Sequence, residues 1–172
     1  MRKFKNKLSD FFKWFKWAEL VELDYIYVTV DPVWPELHLE FRLSEGRKIY
    51  GLEYNGEIEG VVCIAMCTEV PKSTRALQVY SVSDYEKSIA IAYTIWSRKR
   101  GAGKVLLNKI KKHIEKNTDA KRFLTVSPLT PVATHFHIKN GTPKNIILKK
   151  HTLRTPKKNG AQQEPNTCLL YT

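Results

Sequence analysis

The chain is short of acidic residues, of paired cysteines and of long apolar runs. Asp and Glu number 17 against 29 Lys and Arg, a net charge of +12 over 172 residues. That excess suits nucleic acid, anionic lipid, an acidic protein or a polyanionic small molecule, and charge alone selects none of them. The three cysteines, Cys63, Cys67 and Cys168, form no Cys-x-x-Cys pair. Cys63 and Cys67 sit in an apolar run where thiols behave as small hydrophobes, so neither a disulfide framework nor a metal site is expected. No apolar stretch approaches the ~20 residues of a membrane-spanning helix. The lysine-rich start lacks an apolar core segment and a small-residue cleavage site, which makes the cytoplasm the expected location. The length fits one domain with a real core.

What the chain does contain is organised around Ile89 to Ile114. The apolar run Ile89 to Trp96 reads as a buried strand. It enters Ser97-Arg98-Lys99-Arg100-Gly101-Ala102-Gly103-Lys104, and a helix follows with Leu106, Leu107, Ile110 and Ile114 in one stripe. A strand that runs through a glycine turn into a helix presents free backbone N–H groups at the positive end of the helix dipole, and here cations flank them. Such a turn suits phosphate. Gly101 and Gly103 can adopt positive φ and, lacking side chains, let a ligand approach the backbone closely. The spacing is not that of a P-loop, since Val105 follows Lys104, and no second βαβ unit with an acidic ribose ligand supports a dinucleotide site.

A second segment follows the same plan. Phe123 to Ser127 reads as a strand, Pro128 to Pro131 as a helix start, and Val132 to Lys139 as a helix closed by Asn140-Gly141. His135 and His137 near its end are equally readable as half-buried polar residues.

Elsewhere, Arg2 to Ala18 is basic and aromatic with Phe4, Leu8, Phe11, Phe12 and Phe15 at helical spacing, a helix packed on the domain or lying on anionic lipid. Val21 to Val30 alternates as a strand. Pro32 and Pro35 precede a helix from Glu36 to Ser44, with Leu37, Phe41 and Leu43 turned to the core and Gly46 as its stop. Lys48 to Tyr54 and Glu57 to Thr68 flank Asn55-Gly56, the strongest short hairpin signal, and the second of these strands is apolar enough to be buried on both faces. Leu77 to Tyr80 reads as a short strand or edge segment, and Ile146 to Leu148 as another. Domain limits follow: a basic aromatic helix over 1–20, a folded domain over 21–148, and a basic polar tail over 149–172 that is disordered or not native sequence. Within that tail Cys168 to Tyr171 is the one segment left for a last strand, and it also resembles translated adaptor sequence.

Two of these segments carry a family resemblance. Arg98 to Gly103 resembles the Arg/Gln-x-x-Gly-x-Gly/Ala signature of the GCN5-related N-acetyltransferases (GNAT). Ala133, His137 and Gly141 resemble that family's Asn-x-x-Ala-x-x-x-Tyr-x-Lys-x-Gly segment, with Thr130 where Asn is usual and His137 where Tyr is usual. The resemblance covers about Val21 to Thr142. It implies an α/β fold of the α+β type: a mixed, mostly antiparallel sheet with a splayed central parallel strand pair and flanking helices. It further implies acetyl-CoA as acyl donor, without a metal, and transfer to a small-molecule or protein amine by direct attack. The diphosphate would lie on Arg98, Lys99, Arg100, Gly101, Ala102, Gly103 and Lys104, and the pantetheine arm along Ile95, Trp96, Ser127 and Thr130. His137 would protonate the departing thiolate, and Glu69 would take the amine proton. Trp34, Glu36, His38 and Glu40 fall where acceptors pass. Two rival readings keep the fold: a nucleic-acid-associated protein, motivated by charge, and a non-catalytic domain, motivated by Thr130, His137 and the unusual tail.

Overall fold

The computed structural model describes residues 18–24, 31, 34–35, 37–83, 88–128 and 167–171. The basic N-terminal helix, the strand beyond Asp24, Glu36, Thr130, the helix carrying His135 and His137, and Ile146 to Leu148 lie outside the described residues. Six strands form one sheet in chain order: β1 (Glu19–Leu23), β2 (Arg47–Tyr54), β3 (Glu57–Cys67), β4 (Ile89–Ser97), β5 (Arg122–Pro128) and β6 (Thr167–Tyr171). Every neighbouring pair is antiparallel except β4 and β5, which run parallel. This is the mixed, mostly antiparallel sheet with a central parallel pair that the family resemblance implies. The segment Cys168 to Tyr171 takes the edge position as β6, antiparallel to β5.

The β2–β3 hairpin turns at Asn55 and Gly56, with φ of 54° and 78°. Both signs match a two-residue turn whose twist follows that of the strands. Val61 to Cys67 of β3 are all buried, because helices cover both faces of the sheet. On one face Leu52, Val62, Ile64 and Ala92 pack under α3 (Ala102–Asn117), whose Leu106, Leu107, Ile110 and Ile114 form the expected stripe, joined by Val105. On the other face Ile49, Cys63, Ala65 and Ile91 meet α1 (Leu39–Leu43) and α2 (Thr74–Tyr80). Among the described residues no helix is long and apolar enough to cross a membrane.

Two local expectations are corrected. The segment around Leu77 is the helix α2, not a strand: the Ser73 hydroxyl accepts from the Ala76 N–H at 3.0 Å and caps it, Leu77 is buried, and Val79 is 68% exposed. Helix α1 is shorter than Glu36 to Ser44, and Leu43 is 39% exposed while the neighbouring Arg42 is fully buried. Gly46 does more than stop α1. Its φ is +69°, and a Cβ there would come within 2.7 Å of the Val82 backbone nitrogen. The approach is needed because Met66 donates to the Gly46 carbonyl while Val82 donates to the Met66 carbonyl, both at 2.8 Å.

Candidate functional site

The parallel ladder between β4 and β5 begins at Ile89 and Arg122 and ends at Ala92 and Thr125. Beyond that point the strands keep other partners. Thr94 to Ser97 stay on β3, where Thr94 faces Cys63 and Ser97 faces Gly60, while Val126 to Pro128 stay on β6. The two parallel strands therefore part toward their C-terminal ends, and β4 alone continues into the glycine turn.

The parting begins at a β-bulge. The register of β3 against β4 shifts between Cys63 and Ile64, which face Thr94 and Ala92, so Tyr93 is the extra residue. A bulge takes one residue out of the ladder and re-aims its neighbours. Tyr93 packs with the cluster on the α1 and α2 side, as Ile91 does, and Thr94 reaches the buried Asp31 on that side too. Alternation then resumes, with Ile95 packed on the α3 side and Trp96 on the other.

At the end of β4 the turn has the expected backbone. Gly101 is left-handed, with φ 89° and ψ −15°, and is the N-cap of α3 without a side-chain capping bond. Ala102 donates to the Lys99 carbonyl at 3.0 Å and Val105 to the Gly101 carbonyl at 3.3 Å. Between them the amides of Gly103 and Lys104 lie in the first turn, where helix geometry provides no internal acceptor. Positive φ belongs to Gly101 alone of the two turn glycines. Gly103 is buried inside the first helical turn.

The four basic residues around this turn differ in their ties. Arg98, Arg100 and Lys104 are exposed, and the Arg98 guanidinium lies 5.9 Å from the Trp96 ring centroid. Lys99 is engaged with Glu59 at 3.5 Å and lies 5.0 Å from the Tyr54 ring centroid. Ala102 is fully buried against the core and contributes packing.

The structure does not bring Glu69 to this place. It is exposed, two residues past the end of β3, beside the N-terminal end of β4, where Cys67 faces Ile89. Cys63, which faces Thr94, is six residues back, roughly 20 Å at strand rise. Of the expected acceptor positions, His38 and Glu40 are exposed, whereas Trp34 is buried and its indole N–H donates to the Tyr93 carbonyl at 3.1 Å. Ser127 lies on β5 beyond the last parallel pair. His137 and Thr130 lie outside the described residues.

Three residues that the sequence reading passed over converge on the bulge. Asp31 and Arg42 form an ion pair at 2.8 Å with both side chains fully buried, and the Thr94 hydroxyl lies 3.1 and 3.2 Å from the two Asp31 oxygens. Arg42 also donates to the Leu37 and Trp34 carbonyls and to the Cys63 sulfur. Burial pushes the Cys63 thiol up to about 11, although Arg42 pulls the other way. Nothing local in the sequence marks them, since Leu37, Phe41 and Leu43 are the apolar positions of that short helix and Arg42 lies among its polar ones.

No protein-family model matches the chain, and no curated protein matches it. Among solved structures it is similar to a GNAT family acetyltransferase from Elizabethkingia anophelis with acetyl-CoA bound, with a TM-score of 0.52 and 17% identity over 89% of this chain and 95% of that one. It is also similar to an acetyltransferase from Bacillus subtilis in complex with CoA, with a TM-score of 0.53 and 15% identity over 90% of this chain and 97% of that one. A malonyl-CoA decarboxylase from Cupriavidus metallidurans matches 70% of this chain at 24% identity, with a TM-score of 0.49 that is too low to carry an inference, and the chain spans 34% of that protein's length. The chain therefore has the fold of the GNAT acetyltransferases, a likeness of architecture at 15% and 17% identity.

Proposed function

We propose that this chain is an acyl-CoA-dependent N-acyltransferase that moves an acyl group, acetyl in the simplest case, onto an amine. One observation carries the reading: β4 and β5 separate after Ala92 and Thr125, and β4 then runs straight into a left-handed Gly101 at an uncapped helix mouth. The acetyl-CoA and CoA in the Elizabethkingia and Bacillus structures supply the ligand class.

The residues present fit that ligand. The amides of Gly103 and Lys104 would hold the diphosphate at the positive end of the α3 dipole, with no Cβ at Gly101 in the way. Exposed Arg98, Arg100 and Lys104 would add charge-assisted contacts. The main chain of β4 after the bulge, through Ile95 and Trp96, and that of β5 at Ser127, would align the extended pantetheine arm as an added strand is aligned. The acyl end would then lie near the bulge, where a strand N–H polarises its carbonyl and a neutral amine attacks directly. In this reading His137 returns a proton to the departing thiolate, a task an imidazole performs near neutral pH. A base for the amine is sought among groups nearer the bulge than Glu69, given the strand length that separates them.

Thermal unfolding with added ligand tests the reading. Acetyl-CoA at about 100 times its dissociation constant should stabilise the chain by ~2.7 kcal/mol. Gly101→Glu, which places a carboxylate where the diphosphate would lie, should remove that gain. Stabilisation by duplex DNA with a steep salt dependence, and none by acetyl-CoA, would point to a nucleic-acid role instead.

A further inference from the structure

The bulge in β4 is held by charge. Asp31, 2% exposed, takes the Arg42 Nη1 at 2.8 Å, the Trp34 main-chain N–H at 3.2 Å and the Thr94 hydroxyl at 3.1 Å. Arg42 uses every guanidinium nitrogen: Nε on the Leu37 carbonyl at 2.9 Å, Nη2 on the Trp34 carbonyl at 2.6 Å, and Nη1 on Asp31 and on Cys63 Sγ at 3.3 Å. The Trp34 indole closes the circuit by donating to the carbonyl of Tyr93, the bulged residue.

A buried pair of this kind is a poor source of stability. Removing two charges from water costs about as much as their attraction returns, and well-packed apolar side chains often serve as well. What the pair adds is direction. Beyond the ion pair itself, these bonds reach three places: the 34–37 segment, Cys63 of β3, and Tyr93 and Thr94 of β4. Those last two residues immediately follow Ala92, where β4 leaves β5. An apolar cluster would fill the same space without fixing the main chain at that point, since hydrophobic contact is non-directional.

We infer that Asp31 and Arg42 are positioning residues: through Thr94 and Trp34 they hold the β4 bulge, and with it the opening between β4 and β5, in the shape that admits the acyl end of an acyl-CoA. This rests on the acyl-CoA reading. The network touches the strand beside the acyl end and lies away from the glycine turn, so it should matter to one end of the ligand only.

The test uses two probes on the full chain, acetyl-CoA and 3′-phosphoadenosine 5′-diphosphate, the second of which carries all three phosphates without the arm. Asp31→Asn strands Arg42 without its counter-charge and is expected to disturb folding, so milder variants carry the test. Thr94→Val keeps the shape and loses the hydroxyl, Thr94→Ser keeps the hydroxyl and loses a methyl, and Trp34→Phe loses the indole donor. Calorimetry should show Thr94→Val and Trp34→Phe weakening acetyl-CoA by about tenfold, with the diphosphate within about twofold of the parent and Thr94→Ser close to the parent for both. If acetyl-CoA affinity is unchanged in Thr94→Val and Trp34→Phe, the positioning role is wrong while the acyl-CoA reading stands. Equal loss for both probes, or Thr94→Ser as damaging as Thr94→Val, would reduce the network to packing and overturn the proposal. If the parent binds neither probe, the acyl-CoA reading fails and takes this proposal with it.

Discussion

Ala92 and Thr125 are the last residues at which β4 and β5 face each other, and the next residue of β4, Tyr93, is a bulge. The opening is thus a property of the backbone. Ligand that entered it would protect the main chain on both sides. Hydrogen exchange should slow between Tyr93 and Ser97, between Val126 and Pro128 and at the first turn of α3 when acetyl-CoA is added, with no change in the β2–β3 hairpin. Uniform slowing across the sheet, or none, would count against a ligand in the opening.

Gly46 and Gly56 both have positive φ, yet only Gly46 is crowded: a Cβ there meets the Val82 backbone, whereas nothing lies within 4 Å at Gly56. Gly56→Ala should therefore cost about 1 kcal/mol, the backbone penalty alone. Gly46→Ala should cost roughly 3 kcal/mol or more, because the adjoining hydrogen bonds must move as well. Urea unfolding of the two variants checks the contrast, and similar losses would show that the close approach is not rigid.

The Cys63 thiol titrates at about 11 in the fold against an ordinary 9.0, because burial disfavours the thiolate. A proton held more tightly when folded stabilises the chain below pH 9 and stops doing so as pH rises through about 11. Full titration corresponds to roughly 3 kcal/mol. Unfolding measured at pH 8 and pH 10.5 should show a steeper loss in the parent than in Cys63→Val. In the native protein at pH 8, mass mapping after thiol alkylation should leave Cys63 unmodified.

Ser73 caps a seven-residue helix that has little else to start it. Ser73→Ala should destabilise the chain by ~1 kcal/mol and Ser73→Asp should restore most of that loss, read from denaturant midpoints. Equal stability of all three chains would mean that the Leu77 anchor alone sets α2.

The parts of the fold legible in the sequence are those written in local signals. Asn55-Gly56 announces a turn that needs two positive φ angles, and the apolar stripe of α3 and the glycine that opens it are neighbours in the chain. In α2, Leu77 and Val79 alternate like a strand, while the deciding contact is a single hydroxyl at Ser73. The bulge network was not legible at all. Asp31 and Thr94 are 63 residues apart, and an arginine in a short amphipathic helix reads as surface until the fold brings an acid beneath it. For the same reason Trp34, read as a residue facing the acceptor, proves to be a strut on Tyr93. Glu69 reads as a candidate base in sequence because it is a carboxylate at a strand end. Which end of the sheet that strand reaches depends on pairing, and sequence does not state it.

The most direct test is a calorimetric titration of the purified chain with acetyl-CoA, repeated on Gly101→Glu and on the more conservative pair Arg100→Gln and Lys104→Gln. The account predicts one-site binding by the parent, weakening by a few-fold in each conservative variant and loss in Gly101→Glu. A parent chain that takes up no acetyl-CoA while correctly folded, or a Gly101→Glu variant that binds as tightly as the parent, would contradict it.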